Sequence, residues 1–317
     1  MTEQEKKAKI ISIINMKGGV GKTTLTCNLA FNISKKNNKV LVIDADPQFN
    51  ATQTLLLYNT ENDLVETEPT DESDQTDVTD DSNDLGYSDK RYTAEEKSAE
   101  KYEHISKSRK TIFSIYSPEN YYTDDLSKDL IYKITPELDI IPGDLKLAST
   151  ISGDTSNKVA ILEDYIETNK LDKEYDYIII DCPPTWSILT HSSLYASNYY
   201  IIPSKIDFYS SIGIQLLVEQ INGKITGDSQ YKKTKKSLKN LGVAFMFTHN
   251  SLKGFEKQET KLKKTFDDID FFDDRIPYIP SAATEFALYE DKRFVEKYSG
   301  LINSLDKLTD EILKKIS

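Results

Sequence analysis

Short runs of consecutive apolar, often β-branched residues alternate along this chain with longer stretches in which apolar residues recur every three or four positions. The runs Ile10–Ile14, Val40–Asp44, Leu138–Ile141, Tyr177–Asp181, Tyr199–Ile202 and Val243–Thr248 read as strands buried on both faces, since a strand with one wet face would alternate apolar with polar. Helical periodicity covers residues 22–36, 51–58, 156–170, 210–222, 255–266 and 300–316. Strand and helix taking turns in this way predicts the α/β class: a doubly wound, mostly parallel sheet with helices on both faces. Residues 59–91 break the pattern. They are rich in Asp, Glu, Thr and Ser and carry too little apolar surface to fold alone, so they read as a disordered insertion. A charged helix over 92–110 then returns the chain to the core, so that 1–58 and 111–317 form a single domain interrupted by 59–110.

The 317 residues carry a formal charge of −12, which argues against a nucleic-acid partner until it is located. Twelve acidic residues and no Lys or Arg fall within 61–89; without them 40 acids face 40 Lys and Arg, so the rest of the chain is neutral. Bulk charge therefore decides nothing about DNA, and local patches do. Twelve unbalanced charges on a tether suggest that the insertion competes with DNA for a basic surface; an inert solubilising loop is the equal alternative. The two cysteines, Cys27 and Cys182, have neither disulfide nor metal spacing. No apolar stretch is long enough to cross a bilayer, and the polar start Met1–Lys9 is no signal peptide. A cytoplasmic protein is the expectation.

Chemistry enters at residues 17–24, Lys-Gly-Gly-Val-Gly-Lys-Thr-Thr, between a predicted strand and a predicted helix. That context makes it a phosphate-binding loop and the surrounding unit a P-loop nucleotide-binding domain. Gly18, Gly19 and Gly21, with Val20 between them, let backbone N–H groups turn inward around a triphosphate at a helix N-terminus. Lys22 is expected on the β- and γ-phosphates of ATP, the Thr23 hydroxyl on Mg²⁺, and Thr24 completes the nucleotide-binding loop. Val40–Gln48 delivers Asp44 and Asp46 at a strand's carboxyl end, where ligands bind in such sheets. Asp46 is a candidate to orient the attacking water and Asp44 to support the Mg²⁺ water shell. Tyr177–Pro184, four positions of strand ending in Asp181 and then Cys-Pro-Pro, has the Walker B pattern and places Asp181 beside the metal.

Lys17 sets this loop apart, because an ordinary P-loop does not require a lysine there. Together with Asp-Ala-Asp-Pro-Gln, Asp-Cys-Pro-Pro and the later Ile-Ile-Pro-Ser at 201–204, it resembles the ParA/Soj group of deviant Walker A ATPases, from Lys9 to about Ser317 outside the insertion. The resemblance implies a slow partition ATPase that forms a homodimer when ATP-bound, Lys17 of each subunit reaching the other's nucleotide as an arginine finger would. It implies binding to non-specific double-stranded DNA at the nucleoid, hydrolysis stimulated by a ParB-like centromere-binding protein, and movement of plasmid or chromosome cargo. The start Met1–Lys9 leaves no room for an N-terminal helix-turn-helix, which points to the shorter forms of the family. Adenine contacts are implied near Thr248–Asn250 and Pro277–Ala283.

The family's DNA-facing sites lie in the last third of the chain. Lys224, Lys253, Lys257, Lys261 and Lys264 are the candidates here, the last four sharing a helix face. An ordinary solvated helix face explains the same spacing equally well. Lysines stand where family members often carry arginines, which phosphate contact tolerates. A MinD-like membrane ATPase needs an amphipathic C-terminal helix. Residues 300–316 have the apolar spacing, but their polar face mixes acids with lysines and lacks an aromatic anchor, so docking on the domain's own core and no membrane partner are expected. An iron-cluster protein would need paired cysteines, a bacterial tyrosine kinase a C-terminal tyrosine cluster. A metabolic P-loop enzyme remains the alternative, and would have little use for Lys17.

Overall fold

Every apolar run becomes a strand of one sheet in the computed structural model, which describes residues 7–67, 82–117, 128–150, 158–207, 209–248, 253–266, 268–280, 288–289 and 295–317. The strands are β1 (Lys9–Ile13), β2 (Val40–Asp44), β3 (Tyr132–Thr135), β4 (Leu138–Ile141), β5 (Tyr177–Asp181), β6 (Tyr199–Ser204) and β7 (Lys239–Phe245). They lie in the order β3-β4-β2-β5-β1-β6-β7, and only β3 runs antiparallel to its neighbour. Of the helices, those used below are α1 (Lys22–Ser34), α2 (Asn50–Thr67), α3 (Ser82–Lys107), α4 (Ile161–Thr168), α5 (Ile188–Ala196), α6 (Ser210–Ile221), α7 (Lys253–Thr265) and α8 (Val295–Ile316).

Neighbouring residues of the central strands bury on opposite faces, which is why the runs contain so few polar positions. Ile10, Leu41, Ile43, Ile178 and Ile180 pack with Leu162, Leu189, Ile214 and Leu217 of α4, α5 and α6. Ile11, Ile13, Val40, Val42 and Ile179 pack on the other face with Leu25, Leu29 and Ile33 of α1. The apolar stripe of α8, Leu301, Leu305, Leu308, Ile312 and Ile316, is buried in that second layer, at most 3% exposed. An ion pair of 2.9 Å from Lys36 to Asp310 ties the helix to the end of α1. The C-terminal helix thus docks on the domain's own core, and among the described residues no helix is long and apolar enough to cross a membrane.

Two expectations change. The edge strand β3 has no counterpart in the predicted set; it pairs back on β4 through a short turn, and only this pairing makes so polar a segment a strand. The expected disordered stretch is in part helical: α2 runs on to Thr67 and α3 opens at Ser82, while residues 68–81 lie outside the described residues. Helices this polar carry little of the apolar periodicity by which a sequence announces them. They are stabilised by each other instead. Lys101 of α3 donates to Asn59 Oδ1 at 3.0 Å and pairs with Asp63 at 2.6 Å, and Ala94, Ser98 and Ile105 of the same helix are buried.

Candidate nucleotide site

The sheet order sets β5 between β1 and β2, so their carboxyl ends arrive side by side, with Asp181 opposite both Ile13 and Asp44 in register. The loop that leaves β1 turns into α1 through two glycines with positive φ, Gly19 at +67° and Gly21 at +89°. Gly21 is the N-cap of α1, and a Cβ there would stand 3.0 Å from both Met246 Cε and Phe247 Cε2, so both its conformation and its surroundings call for glycine. Gly18 has open space around it, and Val20 is buried beneath the loop. Thr24 is half-buried, its carbonyl accepting from Asn28 Nδ2 at 2.9 Å.

Lys22 is only 7% exposed and its ammonium points back across the loop, 3.4 Å from the Lys17 carbonyl. Burial lowers its pKa, while Asp181 and Asp46 work in the opposite direction. Thr23 Oγ1 donates to Asp181 Oδ2 at 2.7 Å and Thr26 Oγ1 to Asp181 Oδ1 at 3.1 Å. Asp181 is wholly buried, and burial raises its pKa despite those hydrogen bonds. Asp46 is 6% exposed; burial raises its pKa, opposed by the Gln48 N–H that donates to Oδ1 at 3.0 Å and by the charge of Lys22. Asp46 Oδ2 takes no hydrogen bond from the described residues.

Asp44 is wholly buried behind the strand ends. Its Oδ2 accepts from both Thr52 N, at 2.8 Å, and Thr52 Oγ1, at 2.7 Å, and its Oδ1 faces the Asp46 N–H at 3.3 Å. Gly143 N closes the arrangement by donating to Thr52 Oγ1 at 2.8 Å. Burial, then the nearby Asp181 charge, raise the Asp44 pKa well above its usual range. These hydrogen bonds tie Asp44 to the loop between β2 and α2 and, through Thr52, to Gly143. Among the described residues no three His, Cys, Asp or Glu side chains cluster as a metal cage.

Lys17 is half exposed at the mouth of the loop and forms an ion pair with Asp207, at the entrance to α6. No sequence signal joins two residues 190 positions apart. Asn15 was also missed: its Oδ1 accepts from Lys17 N at 2.9 Å and its Nδ2 donates to the Pro203 carbonyl at 2.8 Å, fastening the loop to the end of β6. A polar residue at the end of an apolar run was the available hint. The two segments expected near adenine do meet, since Thr248 and Pro277 form a parallel bridge; 249–250 and 281–283 lie outside the described residues.

The basic candidates fall on two elements. Lys257, Lys261 and Lys264 are exposed on α7 and line an open groove with Glu256 and Thr260. Lys253 begins the same helix. Lys263, by contrast, turns inward to Glu259 at 3.1 Å, a carboxylate that also holds Arg275 at 2.8 Å. Lys224 is exposed on the π-helical turn Asn222–Thr226 after α6.

The chain is similar to known proteins in both sequence and fold. The family AAA_31, described as an AAA domain, matches residues 8–240. The chromosome partitioning protein ParA of Caulobacter vibrioides is 25% identical over 222 residues, 68% of this chain and 64% of that protein. The sporulation initiation inhibitor protein Soj of Bacillus subtilis is 28% identical over 221 residues, 67% of this chain and 64% of its own length. Among solved structures, a putative plasmid partition protein from Borrelia burgdorferi B31 bound to AMPPNP superposes with a TM-score of 0.65 at 23% identity, covering 98% of this chain and all of the other. That last likeness speaks for the fold. Domain match, relatives and fold, joined to a phosphate loop with Lys17 at its head, place the chain in the AAA_31 family, within the ParA/Soj group of P-loop ATPases.

Proposed function

We propose that this chain is an ATP-dependent DNA partition ATPase: its ATP-bound homodimer binds duplex DNA without sequence preference, and a ParB-like partner stimulates hydrolysis to move plasmid or chromosome cargo. The observation that carries this reading is the convergence of Lys22, Thr23, Asp46 and Asp181 at three adjacent strand ends, with Lys17 at the loop's mouth. The relatives named as chromosome partitioning and plasmid partition proteins, one of them with AMPPNP bound, support it.

In this reading Gly18, Gly19, Val20 and Gly21 present backbone N–H groups to the phosphates, and Lys22 neutralises the β- and γ-oxygens. Thr23 and Asp181, hard oxygen donors already hydrogen-bonded to each other, fit Mg²⁺, which favours a few protein oxygens completed by phosphate and water. The ion would neutralise charge on the phosphates. Asp46, with Oδ1 fixed by Gln48 and Oδ2 open, holds and aligns the water that attacks the γ-phosphorus in line. Lys17 leaves Asp207 to reach the partner's nucleotide, so that turnover waits for assembly. The exposed row on α7, with Lys224, supplies phosphate contacts.

The test is size-exclusion of the Asp46→Ala protein with ATP, ADP and no nucleotide, followed by binding to random-sequence duplex. A dimer that forms only with ATP and then binds DNA is expected. Lys17→Ala is expected to keep ATP binding in the monomer and lose stimulated turnover; a Lys17→Ala protein with full turnover and DNA binding would return the chain to the metabolic class.

A further inference from the structure

The loop carrying Asp46 is held from outside the sheet. Phe49, three residues after Asp46, has φ +43°, a left-handed conformation unusual for an aromatic residue. Its N–H donates to the Asp46 carbonyl at 2.9 Å, so the turn at Phe49 and the position of Asp46 are one feature. The Phe49 ring lies flat on the ring of Tyr102, centroids 4.6 Å apart and planes 5° from parallel. Tyr102 belongs to α3, in the stretch the fold does not need for its sheet. Its hydroxyl donates to the Gly143 carbonyl at 3.3 Å. Gly143 in turn sits so close that a Cβ there would come within 2.9 Å of Phe49 Cβ and of Asp44 Cγ. Through its N–H it holds Thr52, which holds Asp44.

Tyr102 therefore touches both walls of the corner from which Asp46 projects. We propose that Tyr102 is a positioning residue for Asp46, and that the α2–α3 pair sets the rate of ATP hydrolysis through the Phe49–Tyr102 stack. This rests on Asp46 aligning the attacking water. An aromatic pair of this geometry resists lateral shift, and a water-aligning carboxylate displaced by about 1 Å can lose up to about 10²-fold in rate. Lys101, next to Tyr102, locks α3 on α2 through Asn59 and Asp63, so a partner that moved α3 would move the stack. Burial, then the charges of Asp144 and Asp44, raise the phenol's pKa and keep it a donor.

The experiment measures ATP turnover of the full chain at saturating Mg²⁺ and varied ATP for Tyr102→Ala, Tyr102→Phe, Phe49→Gly and the double variant Phe49→Gly/Tyr102→Ala, with Asp46→Ala as reference. Tyr102→Ala is expected to lower kcat about tenfold with KM for ATP within about twofold, an effect on the reacting geometry and not on binding. Tyr102→Phe keeps the stack and is expected to recover most of the rate. Glycine accepts φ +43° without the stack, so in the Phe49→Gly background Tyr102→Ala should add only the smaller loss seen for Tyr102→Phe, that of the hydroxyl's bond to Gly143. Should Tyr102→Ala fail to fold, Tyr102→Phe and Phe49→Gly with Tyr102→Leu decide the same question. Turnover of Tyr102→Ala within about twofold of the parent, or an equal loss in both backgrounds, overturns the inference while an inactive Asp46→Ala leaves the functional reading standing. A fully active Asp46→Ala overturns that reading itself, and this inference with it.

Discussion

Replacing Thr52 by valine tests the anchor beneath the Asp46 loop, because the side chain keeps its shape and loses only its hydroxyl. Thr52 and Asp44 are wholly buried, and Oγ1 both donates to Asp44 Oδ2 at 2.7 Å and accepts from Gly143 N at 2.8 Å. Valine leaves two buried polar groups short of a partner, each worth about 1–3 kcal/mol. Asp44 retains the Thr52 backbone N–H at 2.8 Å and relieves part of the loss by holding a proton, toward which burial already pushes it. The cost is therefore set at about 2–4 kcal/mol. Thr52→Ser keeps both hydrogen bonds and removes one buried methyl, about 1 kcal/mol. Equilibrium unfolding in urea measures both, as a lowered midpoint at constant m. A Thr52→Val protein within about 0.5 kcal/mol of the parent, or a serine variant as damaged as the valine one, would refute the account of Asp44 as a loop anchor.

Three further outcomes are expected. Asp44 and Asp181 have raised pKa values, so the folded state binds more protons than the unfolded one; both groups favour folding below their unfolded values and lose that contribution as pH rises through the raised ones. Melting temperatures without Mg²⁺ should fall between about pH 4 and about pH 7 and fall less steeply in Asp181→Asn; an unchanged slope argues against the shift. Gly21→Ala, with φ +89° and neighbours at 3.0 Å, should cost about 1–3 kcal/mol of stability and Gly18→Ala less than about 0.5, so equal melting points for the two would be inconsistent with the loop geometry. Leu305→Ala in α8, at 3% exposure, should destabilise by about 2–5 kcal/mol in urea; a loss below about 1 would mean that the stripe is not core.

The features of this protein that neighbouring residues signal are legible along the chain alone. Apolar runs of four to six residues set between helical periods read as buried strands, and the glycines and lysines of 17–24 carry their phosphate chemistry in their spacing. The α8 stripe was legible for the same reason, as a period along one helix. Pairing across distance emerges only in the fold. Asp44 and Asp46 look alike in sequence, yet Thr52 and Gly143 turn one into a loop anchor and leave the other's Oδ2 open. Lys17 meets Asp207, and Tyr102 meets Phe49, through backbone paths that no window of residues contains. The periodicity shows α2 only as far as residue 58 and α3 only from residue 92; their polar extensions to Thr67 and back to Ser82 have no periodic face of their own, and the pair is held by contacts between the two helices, Lys101 on Asp63 and Asn59.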